Sequence, residues 1–160
     1  MIVPDEVLDK AHPGQLKELK KSLSSSLDMR LLEACPFILL KKGNRVRTIA
    51  DEIFEEAQMT PRIVLETENI ETVLALCAKG MGITFYPKMF ISPDPSSPSC
   101  RSAIMEHNHL NRYSLNYSRA HGVLGIGYHR GHYMSRATQE FIRIAKERIS
   151  YVPTAAEPEH

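Results

Sequence analysis

Residues Arg62 to Pro87, RIVLETENIETVLALCAKGMGITFYP, constrain the fold more than any other stretch, because they spell a strand, a helix and a second strand with their punctuation in place. Ile63, Val64 and Leu65 form a short apolar run of the kind shown by a parallel strand buried on both faces. Thr67 to Asn69 supply side-chain oxygens for the orphan N–H groups of a helix's first turn. Ile70, Val73, Leu74 and Cys77 then recur at i, i+3, i+4 and i+7, one apolar stripe on a helix of about three turns. Gly80 stops that helix, since the residue past a helix C-terminus often takes a positive φ. Ile83 to Tyr86 make the next strand, and Pro87 closes it.

The pattern begins one unit earlier. Pro36 opens the apolar strand Phe37-Ile38-Leu39-Leu40, Lys41 to Val46 is a strand-to-helix loop with Gly43 for tight geometry, and a helix follows over about residues 46–58. That helix sets Ile49, Ile53, Phe54 and Ala57 inward and Asp51, Glu52, Glu55 and Glu56 toward water, with acids in its first half at the positive end of the dipole. Such alternation calls for an α/β fold, a parallel or mixed sheet flanked by helices. The loops after the strand C-termini then share one edge, the edge at which open α/β sheets bind ligands.

Over the same residues, NIETVLALCAKGMGITFYP, preceded by PFILLKKGNRVRTIADEIFEEAQMTPRIVLET, resembles the effector-binding domain of LysR-type transcriptional regulators. LGIGYHRGHYMSRATQEFIRIAKE is similar to that family's closing strand and C-terminal helix. The resemblance spans residues 1–150 and is most specific over 36–87. It implies a periplasmic-binding-protein-like (type 2) lobe with part of a second: residues 1–35 as partial first lobe and hinge, 36–118 as the second effector-binding lobe, 119–150 as the strand and helix returning to the first. Ile2-Val3-Pro4 resembles a strand end before the crossing between lobes, which implies a fragment with the helix-turn-helix domain and most of the first lobe upstream.

Elsewhere the pattern is weaker. Leu16, Leu19, Lys20 and Leu23 give a helical stripe that the serines at 24–26 break, and Leu27 to Leu32 is a second short segment. Lys88 to Ile91 begins another short helix, and SPDPSSPSCRS at 92–102 is too rich in proline and serine to pack. Leu110 to Leu115 reads as an edge strand and Gly122 to Tyr128 as another. Ser135 caps a last helix whose Ala137, Phe141, Ala145 and Ile149 share a face, and residues 151–160 form a disordered tail.

A net charge of +1 lacks the basic excess that gripping phosphates requires, so any DNA contact would run through a helix-turn-helix domain absent from this chain. Cys35, Cys77 and Cys100 are widely spaced without a C-x-x-C, which suits buried thiols in a reducing cytoplasm. No apolar stretch approaches the roughly 20 residues of a membrane span, and no membrane association is expected.

The candidate site is the strand-end edge: Lys42, Gly43, Asn44, Thr67, Glu68, Asn69, Tyr86 and Pro87. Helix N-termini there offer backbone N–H groups and partial positive charge to a small polar or acidic molecule. Thr67 and Asn69 serve equally well as plain helix caps, and Glu66 and Glu68 oppose a strongly anionic ligand unless they point away. In the resembled family the effector sits between two lobes and touches these positions, which implies a small-molecule effector and a dimer or higher oligomer. His107, His109, His121, His129 and His132 lack the i, i+4 spacing and acidic partner of a metal site and read as solvated. The pairs Lys20-Lys21 and Lys41-Lys42, with Arg45 and Arg47, also read as solvated cations. With no G-x-S-x-G elbow and no phosphate loop, neither an enzyme nor a cofactor is expected. A freestanding small-molecule or metal-binding protein of periplasmic-binder type is the alternative.

Overall fold

Four apolar residues after a proline that cannot extend a helix complete the strand on which the sheet is built, β2 (Pro36–Leu40). The computed structural model describes residues 1–87, 109–115, 117, 125–129, 131 and 133–148. Before β2 come β1 (Ile2–Pro4), α1 (Asp5–Ala11), α2 (Leu16–Ser25) and a single 3-10 turn, Met29–Leu32. After it come α3 (Arg45–Glu56), β3 (Arg62–Thr67), α4 (Ile70–Ala78), β4 (Leu110–Arg112) and α5 (Arg136–Arg148). The chain divides into two units, Met1–Gly122 and Val123–His160.

In the first unit β2 pairs in parallel with β3, matching Leu40 to Thr67, and on its other side Phe37 bridges Ile83, again in parallel. Thr84 then bridges Ile2 in the antiparallel sense, and β1 pairs antiparallel with β4. The bridges at Ile83 and Thr84 thus link two two-stranded sheets into one mixed array in the order β3, β2, Ile83-Thr84, β1, β4. Gly82 makes the third run possible: a Cβ there would lie 2.9 Å from the Pro36 carbonyl oxygen, so only glycine lets the backbones close.

Strand alternation sends β2 to two cores at once. Phe37 and Leu39 face a cluster with Val7, Leu8, Leu23, Ile53 and Phe54, which places α1, α2 and α3 on one side of the sheet. Ile38 and Leu40 face Val73 of α4 on the other side. Phe54 stands edge-on to both Phe37 and Phe85, with ring centroids 5.1 and 5.4 Å away. Such pairs add to plain burial because ring edges and faces carry opposite partial charge.

Several expectations need correction. β3 is not buried on both faces: its side chains alternate between half-buried and exposed, and Val64 keeps 48 % of its surface, because β2 is its only neighbour among the described residues. The run Ile83 to Tyr86 reaches only two bridging residues, since each side offers it a partner over a single position. α2 ends among the serines as expected, but only at Ser25 with Ser26 as its C-cap, because the Ser24 and Ser25 hydroxyls bond back to the Lys20 and Ser22 carbonyls within the last turn. α1 was not foreseen at all; Pro4 precedes it and only Val7 and Leu8 are buried, too little periodicity to announce a helix. Gly125 to His129 form no strand and are exposed, while Gly122 to Leu124 lie outside the described residues. Ser135 does cap α5, accepting from the Thr138 N–H at 3.1 Å, and Phe141 on its apolar face is exposed. The expectations for 88–102 and for the tail also lie outside the described residues.

Candidate functional site

Parallel pairing brings the C-terminal ends of β2 and β3 to one edge, and a backbone bond from Lys41 N–H to the Thr67 carbonyl at 2.9 Å lays the two following loops side by side. Each loop turns into a helix through an asparagine. The Asn44 side chain accepts from the Val46 N–H at 2.9 Å, and Asn69 accepts from the N–H groups of Glu71 and Thr72 at 2.8 and 3.1 Å. Thr67 adds its hydroxyl as acceptor for the Asn69 N–H at 3.3 Å. Gly43, at φ +95°, makes the tight turn that aims α3 at the edge. The capping role expected of Thr67 and Asn69 is realised, Asn44 caps α3 in the same way, and two helix N-termini are set next to each other.

Lys42, Gly43, Asn44, Glu68 and Asn69 are exposed at this edge and Thr67 is half-buried. Tyr86 differs: its ring is buried against Ile2, Leu74 and Cys77, and Pro87 beside it is half-buried.

The two glutamates have partners. Glu68 receives the Lys41 ammonium at 3.0 Å, and Glu66 receives the guanidinium of Arg47. Arg47 was expected to be solvated, and that expectation was wrong: its side chain is 5 % exposed. It donates to the Leu40 carbonyl at 2.9 Å, to Asp51 at 2.7 Å and to Glu66. One planar fork thus ties together the end of β2, the end of β3 and the first two turns of α3. Burial alone would lower the Arg47 pKa, but the two carboxylates more than offset it and keep the group charged. Arg47 in turn holds the Glu66 carboxyl below its usual range, with Lys42 and Lys41 adding to the effect. A signal was present in the sequence: Arg47, Ala50, Asp51 and Phe54 follow the i, i+3, i+4, i+7 spacing, so Arg47 lies on the inward stripe of its helix. Asp51 is consequently spent on Arg47 in the second turn, and the first turn of α3 carries no acid.

The other candidate chemistries do not assemble. Among the described residues no group of three His, Cys, Asp or Glu side chains could hold a metal ion, and His107, His121 and His132 lie outside those residues. Cys35 and Cys77 are buried free thiols, pushed by that burial up to about 11 and about 12, which leaves them protonated and unreactive. Among the described residues no helix is long and apolar enough to cross a membrane.

Comparison with known proteins points the same way. Over 105 residues the chain is 28 % identical to an uncharacterized HTH-type transcriptional regulator of Bacillus subtilis, YybE, covering 66 % of this chain and 32 % of that protein. A second regulator of that organism, YcgK, is 39 % identical over 54 residues, or 34 % of this chain and 17 % of its own length. The chain thus spans a third or less of the curated relatives it matches. No solved structure matches it. The model of the LysR substrate binding domain matches residues 21–150, and with most of its length accounted for in this way the chain belongs to the LysR substrate-binding domain family.

Proposed function

We propose that this chain is the ligand-sensing part of a LysR-family transcriptional regulator and that its effector, a small polar or acidic molecule, is held at the edge made by Lys42, Gly43, Asn44, Thr67, Glu68 and Asn69, with Tyr86-Pro87 closing the third parallel run. The observation that carries this reading is the pair of adjacent helix N-termini, with both nearby glutamates already engaged by Lys41 and Arg47. Each asparagine spends its carbonyl oxygen on the cap, so its amide N–H groups remain to donate to a ligand. Lys42 supplies a mobile cation, and the first-turn backbone N–H groups supply fixed dipoles.

No covalent step is involved. The effector binds one arrangement of the domain better than another and shifts the population toward it. DNA contact belongs to a helix-turn-helix domain outside this chain, assembly is as a dimer or higher oligomer, and the compartment is the cytoplasm. The relatives' description as HTH-type regulators supports this context. The test is a thermal-shift screen of the 160-residue chain against small carboxylates, amino acids and sulfate. Binding should raise the melting temperature in proportion to the logarithm of ligand concentration, and Asn69→Asp should weaken any acidic ligand found. A ligand whose stabilisation survives both Asn69→Asp and Lys42→Ala would place the site elsewhere.

A further inference from the structure

Arg47 is the one charged side chain buried among the described residues, and it sits directly beneath the proposed effector edge. Its three acceptors could be satisfied for stability alone. The geometry does something further. Glu66 lies one residue before the strand-end residue Thr67, where its carboxylate, 42 % exposed, would project negative charge toward any ligand at the two helix N-termini. The guanidinium covers that charge from below, and Lys41 does the same for Glu68 across the surface at 3.0 Å.

Resting on the effector-site reading above, we infer that Arg47 is a positioning and specificity-determining residue, which compensates the Glu66 carboxylate and so makes the edge selective for an anionic effector. Arg47 touches no ligand in this role; it acts through Glu66 and through the α3 N-terminus that it anchors. The two contributions separate by sign. If compensation matters, removing the guanidinium leaves the Glu66 and Asp51 carboxylates uncompensated and weakens anion binding. Removing the Glu66 carboxylate leaves the guanidinium balanced by Asp51 alone, one negative charge fewer at the edge, and strengthens binding, and removing both returns the net charge, and with it the binding, toward the native value. If Arg47 is only a clamp, every variant that lacks it binds poorly, whatever stands at Glu66.

The experiment uses the full chain at low ionic strength, where such fields are least screened. Sulfate and succinate are the probes, read by NMR shifts of the amides that open α3 and α4. Arg47→Met should weaken binding roughly threefold or more, Glu66→Gln should strengthen it, and the double variant should recover most of the loss. Glu66→Gln alters an exposed group and serves if Arg47→Met does not fold. A double variant as weak as Arg47→Met, or a Glu66→Gln that weakens binding, overturns the inference while the effector site stands. Native protein whose amides move with neither anion overturns the anionic-effector reading itself, and the inference with it.

Discussion

The two halves of the sheet close over very different lengths of chain. In the parallel half β2, β3 and Ile83-Thr84 follow one another through single helices, and every pairing among them falls within the stretch from Pro36 to Thr84. In the antiparallel half Ile2 pairs with Arg112 and Val3 with Asn111, across almost the whole first unit. Each half is pinned by one polar cluster. Arg47 binds Leu40, Asp51 and Glu66, all within the β2-α3-β3 stretch. Asp5 accepts from Lys20 of α2 at 2.8 and 3.0 Å and from Asn111 of β4 at 2.6 Å, and Asn111 also donates to the Val3 carbonyl. The local half carries the proposed ligand edge, while the non-local half holds the ends of the chain segment together.

That contrast predicts where the chain breaks first. Phe37 is fully buried at the centre of the local half, against the rings of Phe54 and Phe85. Phe37→Ala should cost about 3–5 kcal/mol in a denaturant titration, since neighbours anchored by two other helices cannot collapse onto the void. This is the largest effect expected of any single core substitution here. A loss under about 1 kcal/mol would mean that β2 is not the organising strand.

The non-local half should respond to pH instead. Burial on its own would raise the Asp5 pKa, but the hydrogen bonds from Lys20 and Asn111, with the charges of Lys20 and His109, outweigh it and hold the group below the usual carboxylate range. A depressed folded-state pKa means that the stabilisation is fully present above the unfolded value of about 4 and is lost as pH falls through the folded value. Asp5→Asn should therefore lower stability by about 1–3 kcal/mol at neutral pH. The variant should also lose less than the native chain on acidification below pH ~4, which equilibrium unfolding at several pH values would reveal. Equal acid sensitivity in the two proteins would move the pH response to carboxylates elsewhere.

The same contrast explains what could be read in advance. The β2-α3-β3-α4 stretch was legible to within a residue or two because helix caps, a glycine stop and apolar periodicity are local signals. Asn44, Asn69 and Gly80 do what their chemistry suggests, with Gly80 at φ +71°. Family membership was legible there too. The pairing of β1 with Ile83-Thr84 and β4 was not, because nothing in three apolar residues names a partner a hundred positions away. Arg47 was misread for another reason. A charged residue is assigned to solvent by default, and only the carboxylates that surround it, one of them brought by a different strand, make its burial tolerable.

Val64 gives the finest test of the local half. Its apolar neighbours in sequence suggested burial on both faces, yet it is 48 % exposed on the sheet's outer strand. Val64→Thr keeps the β-branched shape that suits a strand and exchanges a methyl for a hydroxyl that water can satisfy. In an isolated chain it should change stability by no more than about 0.5 kcal/mol. If it costs more than about 1 kcal/mol, something covers Val64 in solution, and the cost should then depend on protein concentration if the cover is a second copy of the chain. A concentration-independent cost would instead bring a residue of the same chain onto β3, making that strand the buried one its sequence describes.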